Sequence, residues 1–158
     1  MEYKNLDMRD TSLQEDELRQ IWHDEYCTQS IFTFDGIRVH FYDDNFDHAF
    51  YESSTRNYQN KSKENGYKDC LSAVRLEKML WIKDVLMDKD AELYCGYDKK
   101  TASYKKSTRV SVVKGDYVVV IKIFKEKQAK FITAYVADNS ITKIRLGPKW
   151  LIKKMDAD

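Results

Sequence analysis

The spacing of hydrophobic and polar residues changes near the middle of the chain. In the first half, apolar residues recur three and four positions apart, as in helices, and in the second half they alternate with polar residues, as in strands. Helices followed by a run of strands predict an α+β fold. We expect N-terminal helices and a hairpin, and a central helix packed on a C-terminal antiparallel meander sheet.

The first half predicts three helices and one hairpin. The capping-box spacing of Ser12 and Glu15 starts a helix that runs to about residue 26. Asp35-Gly36 lies between two apolar runs and predicts a hairpin with a type I′ turn. A short helix follows from Asn45 to about Ser53. The clearest helix runs from about Asp69 to Met87 and has apolar residues on most of its circumference, which is typical of a buried helix.

The second half predicts antiparallel strands joined by short loops. Tyr117 to Lys125 is apolar on both faces, which indicates a central strand, and Ile141 to Leu146 is expected to extend the sheet. Simple alternation divides the last strong strand between two faces. The open face is expected to carry Phe131, Thr133 and Tyr135, and the core face Ile132, Ala134 and Val136. The predicted strands are 91–97, 101–105, 109–114, 117–125 and 130–137.

The composition indicates one ordinary domain that spans residues 1–158, with residues 1–10 and the last few residues loose. No run approaches the roughly 18 apolar residues of a membrane span, so no membrane contact is expected. The N-terminus lacks the apolar core of a secretory signal, which predicts a cytoplasmic location. The three cysteines are widely spaced without a Cys-x-x-Cys pair, so neither a disulfide framework nor a zinc knuckle is expected.

The net charge of +1 conceals two halves of opposite sign. Residues 1–98 hold 12 Lys and Arg against 21 Asp and Glu, whereas residues 99–154 hold 15 against 3. A basic half of this kind favours a polyanionic partner, because cations that neutralise phosphates release bound counterions. The alternative is a soluble protein with two complementary solvated faces. The basic residues expected to contact nucleic acid are Lys105, Lys106, Arg109 and Lys122.

Two residues of the first half are candidates for chemistry at phosphate. His48 lies on a short helix, with Glu52 one turn later to orient its imidazole, and Arg75 lies on the long apolar helix. An imidazole moves protons near neutral pH, and a guanidinium matches phosphate oxygens with two parallel bonds. Both residues also have purely structural interpretations, as a partly buried helix histidine and as an arginine whose stem covers the core.

A metal site is not expected from the sequence. His40, Asp43, Asp44, Asp47 and His48 fall within nine residues and include ligand types for manganese, iron or zinc. However, no His-Glu-x-x-His pattern completes the set, and the chain lacks a phosphate-binding glycine loop and a dinucleotide fingerprint. No cofactor is therefore predicted.

The arrangement resembles the phage-associated branch of the barnase–EndoU–colicin–RelE-like (BECR) ribonuclease superfamily, over roughly residues 37–137. The segments that carry the resemblance are Val39-His40-Phe41-Tyr42, Asn45-Phe46-Asp47-His48-Ala49-Phe50, Ala73-Val74-Arg75-Leu76, Trp81-Ile82, Tyr117-Val118-Val119-Val120 and Phe131-Ile132-Thr133-Ala134-Tyr135. Members of this group are often toxins of phages and mobile elements that cut RNA without metal.

The resemblance implies a ribonuclease whose partner is RNA, with an inhibitor protein as a further possible partner. His48 would take the proton from a ribose 2′-hydroxyl, Arg75 would hold the phosphate, and Thr133 and Tyr135 would stabilise the transition state. Some relatives have a second catalytic histidine, for which His40 is the only nearby counterpart.

Two other functions stay open on the sequence alone. The first is a non-catalytic domain of the same fold that binds nucleic acid or protein through its basic half. The second is a phage structural or accessory protein that interacts through its acidic half.

Overall fold

The computed structural model of the chain describes residues 15–52, 70–96, 108–137 and 140–150, and these have an α+β fold. The helices are α1 (Glu15–Trp22), α2 (Asn45–Phe50), α3 (Ala73–Glu77), α4 (Trp81–Met87) and α5 (Ser140–Arg145), and a π-helical turn (His23–Cys27) follows α1. The strands are β1 (Ile31–Phe32), β2 (Arg38–His40), β3 (Tyr51–Glu52), β4 (Cys70–Leu71), β5 (Glu92–Cys95), β6 (Arg109–Lys114), β7 (Tyr117–Lys125) and β8 (Gln128–Val136). No helix in these ranges is long and apolar enough to cross a membrane.

Six strands form one open sheet in the order β1-β2-β8-β7-β6-β5. Strands β5 to β8 make an antiparallel meander, as the sequence predicts, in which β5 pairs directly with β6. The strand predicted at 101–105 lies outside the described residues. The long apolar strand β7 lies inside the sheet, as expected. The strand β2 adds a parallel neighbour to β8, with Val39 opposite Ala129. A separate pair, β3 and β4, is antiparallel.

The hairpin between β1 and β2 forms where predicted, but its turn differs from the expected type. A type I′ turn needs positive φ at both central residues, and of this pair only Gly36 has it, at +90°. Thr33 accepts a hydrogen bond from the Gly36 amide at 3.1 Å, and its own amide donates to Ile37 at 2.8 Å. The loop therefore has three residues and ends in a left-handed glycine.

The long helix expected from Asp69 to Met87 is interrupted. The chain first forms β4, and Ser72 then caps α3, with its hydroxyl accepting from the Arg75 amide at 3.3 Å. A break at Lys78–Leu80 separates α3 from α4. The apolar residues expected around one long helix therefore belong to two short helices, and both of these pack on the sheet.

The main core lies between the sheet and helices α1 to α4, and we call this side of the sheet the inner face. Alternate residues of β7 point into it: Tyr117, Val119, Ile121 and Ile123 are each at most 3% exposed. Trp22 contacts four other rings: Phe41 and Phe50 edge-on, and Tyr26 and Phe131 at 4.6 and 5.5 Å between ring centroids. This aromatic cluster fixes α1 and α2 against β8.

A bulge in β8 changes the predicted division of its faces. Val120 pairs with Thr133 whereas Ile121 pairs with Phe131, so Ile132 is an extra residue without a partner. Phe131 is consequently buried on the inner face, at 1% exposed, although simple alternation places it with Thr133. Thr133 itself shares the opposite, outer face with Val120.

Among the described residues, the outer face is covered at one end only. Tyr94, Val113, Val118 and Ala137 form a second apolar cluster there, and Ile141 and Ile144 of α5 pack against it. We call this the covered end. Residues 141–146 were expected to extend the sheet, but 140–145 are helical, because Ile141 and Ile144 are three positions apart and bury one helix face.

Two contacts hold α5 over the covered end. The Arg145 guanidinium donates to Glu92 at 3.0 Å and to the Gly115 carbonyl at 2.6 Å. The chain then continues along β5, where the Trp150 amide donates to the Leu93 carbonyl at 2.9 Å. The opposite end of the outer face begins where β6 starts, at Arg109.

Candidate functional site

A row of positively charged and imidazole side chains crosses four strands at the uncovered end of the outer face. Arg109 of β6 pairs with Lys122 of β7, Lys122 pairs with Lys130 of β8, and Lys130 pairs with His40 of β2. Directly paired residues of neighbouring strands point to the same face. These four residues, which we call the basic row, therefore line one side of the sheet.

Exposed aromatic rings accompany the basic row. Phe124, the next outer-face residue of β7, is 51% exposed, and its ring centroid lies 5.7 Å from that of His40. Phe32 is 45% exposed and pairs with Arg38 on the same face. His40 is also hydrogen-bonded through Nε2 to Gln128 at 2.6 Å. Large exposed rings beside cations are unusual on a face that serves only solubility.

Positively charged side chains lie directly beside one another in the basic row. Within the described ranges, Lys122 and Lys130 form no ion pair, whereas Arg19, Lys83 and Arg145 on other surfaces each contact a carboxylate at 3.0 Å or less. Like charges directly opposite each other in a sheet are destabilising. Binding of an anion at the basic row would therefore relieve this repulsion and lower the free energy of the folded protein.

At the Arg109 end of the basic row, the backbone of Gly96 packs closely against the backbone of Arg109. The Gly96 amide donates to the Arg109 carbonyl at 2.8 Å, and a Cβ at position 96 would lie 2.8 Å from the Arg109 Cβ. Only glycine allows the two backbones this approach. Of the four predicted nucleic-acid contacts, Arg109 and Lys122 belong to the basic row, and Lys105 and Lys106 lie outside the described residues.

The predicted catalytic residues His48 and Arg75 lie on helices packed against the inner face. His48 is an exposed residue of α2. The Arg75 guanidinium donates through Nη1 to the carbonyl of Ala49 at 3.1 Å, which is the residue after His48. The side chain of Arg75 therefore reaches the end of α2.

Tyr135 and Thr133 share the outer face of the sheet. Thr133 pairs with Val120, and Tyr135 pairs with Val118 and packs against the apolar cluster of the covered end, where burial raises the pKa of its hydroxyl. No hydrogen bond joins Thr133 to the other three in the described ranges. The structure thus relates Arg75 to the neighbour of His48, and places Thr133 and Tyr135 on the face opposite the helices of His48 and Arg75.

A third group of side chains, which the sequence analysis did not single out, joins the π-helical turn to the start of α2. His23 Nδ1 lies 2.9 Å from Asp43 Oδ1, and the Cys27 thiol also hydrogen-bonds Asp43. Burial and the adjacent carboxylate raise the pKa of Cys27 to about 12, while the hydrogen bonds from His23 and Cys27 lower the pKa of Asp43. The signal available in the sequence was the four-residue spacing of His23 and Cys27.

Known protein families, curated proteins and solved structures were compared with the chain, and none matches it.

Proposed function

We propose that this protein binds single-stranded RNA on the uncovered end of its outer face. The observation that carries the proposal is the basic row, which aligns Arg109, Lys122, Lys130 and His40 across four adjacent strands. A strand spacing of about 4.8 Å spreads these groups over roughly 14 Å. That length matches a few nucleotides of an extended backbone.

Phosphate binding explains why Lys122 and Lys130 have no carboxylate partner within the described ranges. Each phosphate neutralised by Lys or Arg releases counterions, and the repulsion between Lys122 and Lys130 is relieved at the same time. A carboxylate partner within the fold would relieve the repulsion too, but it would also compete with the ligand.

The exposed rings favour unpaired bases over a duplex. Base–aromatic stacking contributes about 1–3 kcal/mol per base and needs a base face that is not already stacked. Phe124, and Phe32 beyond it, offer such surfaces next to the cations. A duplex keeps its bases stacked inside the helix, so it would use only the charges.

The proposal is tested by fluorescence anisotropy with a labelled single-stranded RNA, the same sequence as DNA, and a duplex. The variant Arg109→Glu/Lys122→Glu/Lys130→Glu is expected to lose at least about 100-fold in RNA affinity, since three phosphate contacts are removed. Its matched control is Lys89→Glu/Lys143→Glu/Lys149→Glu, which changes the net charge equally at exposed positions away from the row.

The two triple variants separate a defined site from general charge attraction. Affinity close to that of the parent is expected for the control, and preference for the single strand over the duplex is expected for the parent. Equal losses in both variants would contradict the assignment of the basic row. Tighter binding of DNA than of RNA would contradict the choice of RNA.

We propose RNA cleavage as a second function, in which the 2′-hydroxyl attacks the adjacent phosphorus to give a cyclic phosphate and a free 5′-hydroxyl. The supporting observation is that Arg75 bonds the carbonyl of Ala49, the residue next to His48. A guanidinium has further donors besides the one that bonds this carbonyl, and these suit a phosphate. His48 would take the 2′-hydroxyl proton, and Arg75 would hold the phosphate.

Product analysis on single-stranded RNA tests the second function without reference to binding. His48→Ala is expected to lower the cleavage rate on the order of 100-fold, as for loss of a general base, and to remove cyclic-phosphate ends. Asp44→Asn, an exposed neighbour just before α2, serves as the matched control with an unchanged rate. Unchanged cleavage by His48→Ala would exclude this mechanism and leave the binding proposal standing.

A further inference from the structure

His23, Cys27 and Asp43 bring a nitrogen, a sulfur and an oxygen donor together where the π-helical turn meets the start of α2. Their candidate ligand atoms all lie within 4.8 Å of one another. Tetrahedral coordination with bonds of about 2.0–2.3 Å separates ligand atoms by about 3.3–3.8 Å. Small side-chain rotations would therefore bring the three atoms onto one cation.

The π-helical turn explains why two of these donors share a side of the helix. The buried residues Leu18, Trp22 and Tyr26 are spaced by four, which is longer than the 3.6-residue period of an α-helix. A wider turn keeps Tyr26 beside Trp22, at 4.6 Å between ring centroids, and the Thr28 amide bonds the His23 carbonyl five residues back. The same widening aligns His23 with Cys27.

The third donor comes from a different element. Asp43 lies just before α2, and the Asn45 amide donates to the Tyr42 carbonyl at 3.0 Å to form the turn there. The Trp22 indole donates to the same Tyr42 carbonyl, also at 3.0 Å, which fixes this turn against α1. Both sides of the cluster are thus held by the fold rather than by the cluster's own contacts.

A depression of about 370 Å³ adjoins the cluster. Its lining consists of Asp16, Arg19, Gln20, Trp22, His23 and Asp43. Three protein ligands and an open side are the arrangement in which a zinc ion keeps a fourth position for water. Arg19, the one cation of the lining, already bonds Glu15 at 2.9 Å and Asp47 at 2.5 Å, which directs its charge to those carboxylates.

We propose that His23, Cys27 and Asp43 form a site for a divalent transition-metal cation, with zinc the best match to one imidazole, one thiolate and one carboxylate. Magnesium and calcium prefer oxygen donors alone, and Cu(I) prefers a set richer in sulfur. The bound ion would tie the π-helical turn to the start of α2. Binding releases the thiol proton to solvent, so affinity rises with pH.

Cobalt(II) is the probe for the test, because a cysteine thiolate bound to it gives a charge-transfer band in the near ultraviolet. The full-length chain, first freed of metal with a chelator, is titrated with cobalt(II) and then with zinc. We expect the band to appear, to be displaced by zinc, and to be absent from Cys27→Ser. The matched control, Cys95→Ser, removes a buried thiol elsewhere and keeps the band.

Zinc affinity by competition with a chelating dye provides the second readout. Loss of a direct ligand in His23→Ala or Asp43→Asn is expected to lower the zinc affinity at least about 100-fold, since changes to residues that only bond a metal ligand already lower metal affinity by about 10–100-fold. Circular dichroism checks that these partly exposed substitutions leave the fold intact. A band that survives Cys27→Ser, or parent affinity in both other variants, overturns the proposal. RNA affinity is measured in parallel and is expected to stay unchanged in all these variants.

Discussion

The two ends of the outer face are built on the same strands and have opposite character. At the covered end, Val113 and Val118 form a pair that α5 buries, and at the other end Arg109 and Lys122 form a pair that no described element covers. The difference lies in the outer-face residues of β6 and β7, because their inner-face residues are apolar or aromatic apart from Lys114 at the end of β6. The covered end of the outer face therefore contributes to stability, and the opposite end exposes positive charge.

The largest expected difference between the two ends is in stability, when an aspartate is substituted at each end. We predict that Val118→Asp lowers the free energy of unfolding by at least about 3 kcal/mol, since an unpaired charge would be buried beneath α5. Lys122→Asp, four residues later on the same face, is expected to leave stability unchanged or slightly raised, because it relieves repulsion from Arg109 and Lys130. Urea denaturation measures both. Similar losses in the two variants would show that the ends do not differ as described.

A smaller effect on binding is expected at Phe124. We predict that Phe124→Ala weakens single-stranded RNA binding by about fivefold, or about 1 kcal/mol, through loss of base stacking, and that Phe124→Trp retains it. Met87→Ala, which removes an apolar side chain that is 61% exposed on α4, is the control. Anisotropy titrations distinguish the variants. If Phe124→Ala bound RNA as tightly as the parent, base stacking on Phe124 would be excluded, and only the charged contacts of the basic row would remain in the proposal.

The salt dependence of binding sharpens the electrostatic part of the comparison. The logarithm of affinity should fall linearly with the logarithm of salt concentration, with a slope of about −0.7 per phosphate contacted on a single strand. We predict that Lys130→Ala makes this slope shallower by about 0.7, whereas Lys149→Ala near the covered end leaves it unchanged. Titrations at four or five salt concentrations provide the slopes, and parallel lines for Lys130→Ala and the parent would argue against a phosphate contact.

The smallest predicted effect concerns how α5 is held over the covered end. The hydrogen bond from Arg145 lowers the pKa of Glu92 below its ordinary value of about 4.5. The stability gained from this contact is therefore present above that value and is lost as the pH falls through the lowered pKa. We predict that Arg145→Met costs at most about 1 kcal/mol at neutral pH, because the pair is largely exposed.

The pH dependence of the stability lost in Arg145→Met distinguishes this contact from other effects of the substitution. The difference in unfolding free energy between parent and Arg145→Met should shrink as the pH is lowered below 4.5. Urea titrations at several pH values measure it, with Lys143→Met on the same helix as the control. A difference that grows on acidification would have the wrong sign for this contact.

Local patterns were sufficient for the elements whose partners are near in sequence. The bounds of β6 and β7 match those predicted, because period-two alternation and the tight turn at Gly115 define them locally. The break between α3 and α4 was missed because the segments on both sides of it are apolar. The start of α3 was placed too early because the capping role of Ser72 was not recognised. The segment 141–146 was misassigned because two apolar residues three apart fit either a short strand or a short helix.

Non-local pairing explains why only part of the candidate site was predicted. Arg109 and Lys122 were identified from charge alone, and Lys130 joins them through the pairing of β7 with β8. His40 joins the basic row only through the parallel pairing of β2 with β8. No local pattern specifies that pairing, since about 90 residues separate the strands. The bulge at Ile132 is similarly invisible in an alternating sequence, and it decides which face Phe131 occupies.

The most direct test of RNA binding at the basic row is a titration of the ¹⁵N-labelled protein with a short oligouridylate, followed by amide chemical shifts. We expect the largest shift changes at the amides of Arg109, Lys122, Phe124 and Lys130, with little change along α1 and α4. Largest changes on the helices of the inner face or on α5, or no change at all at low salt, would contradict the proposed interface.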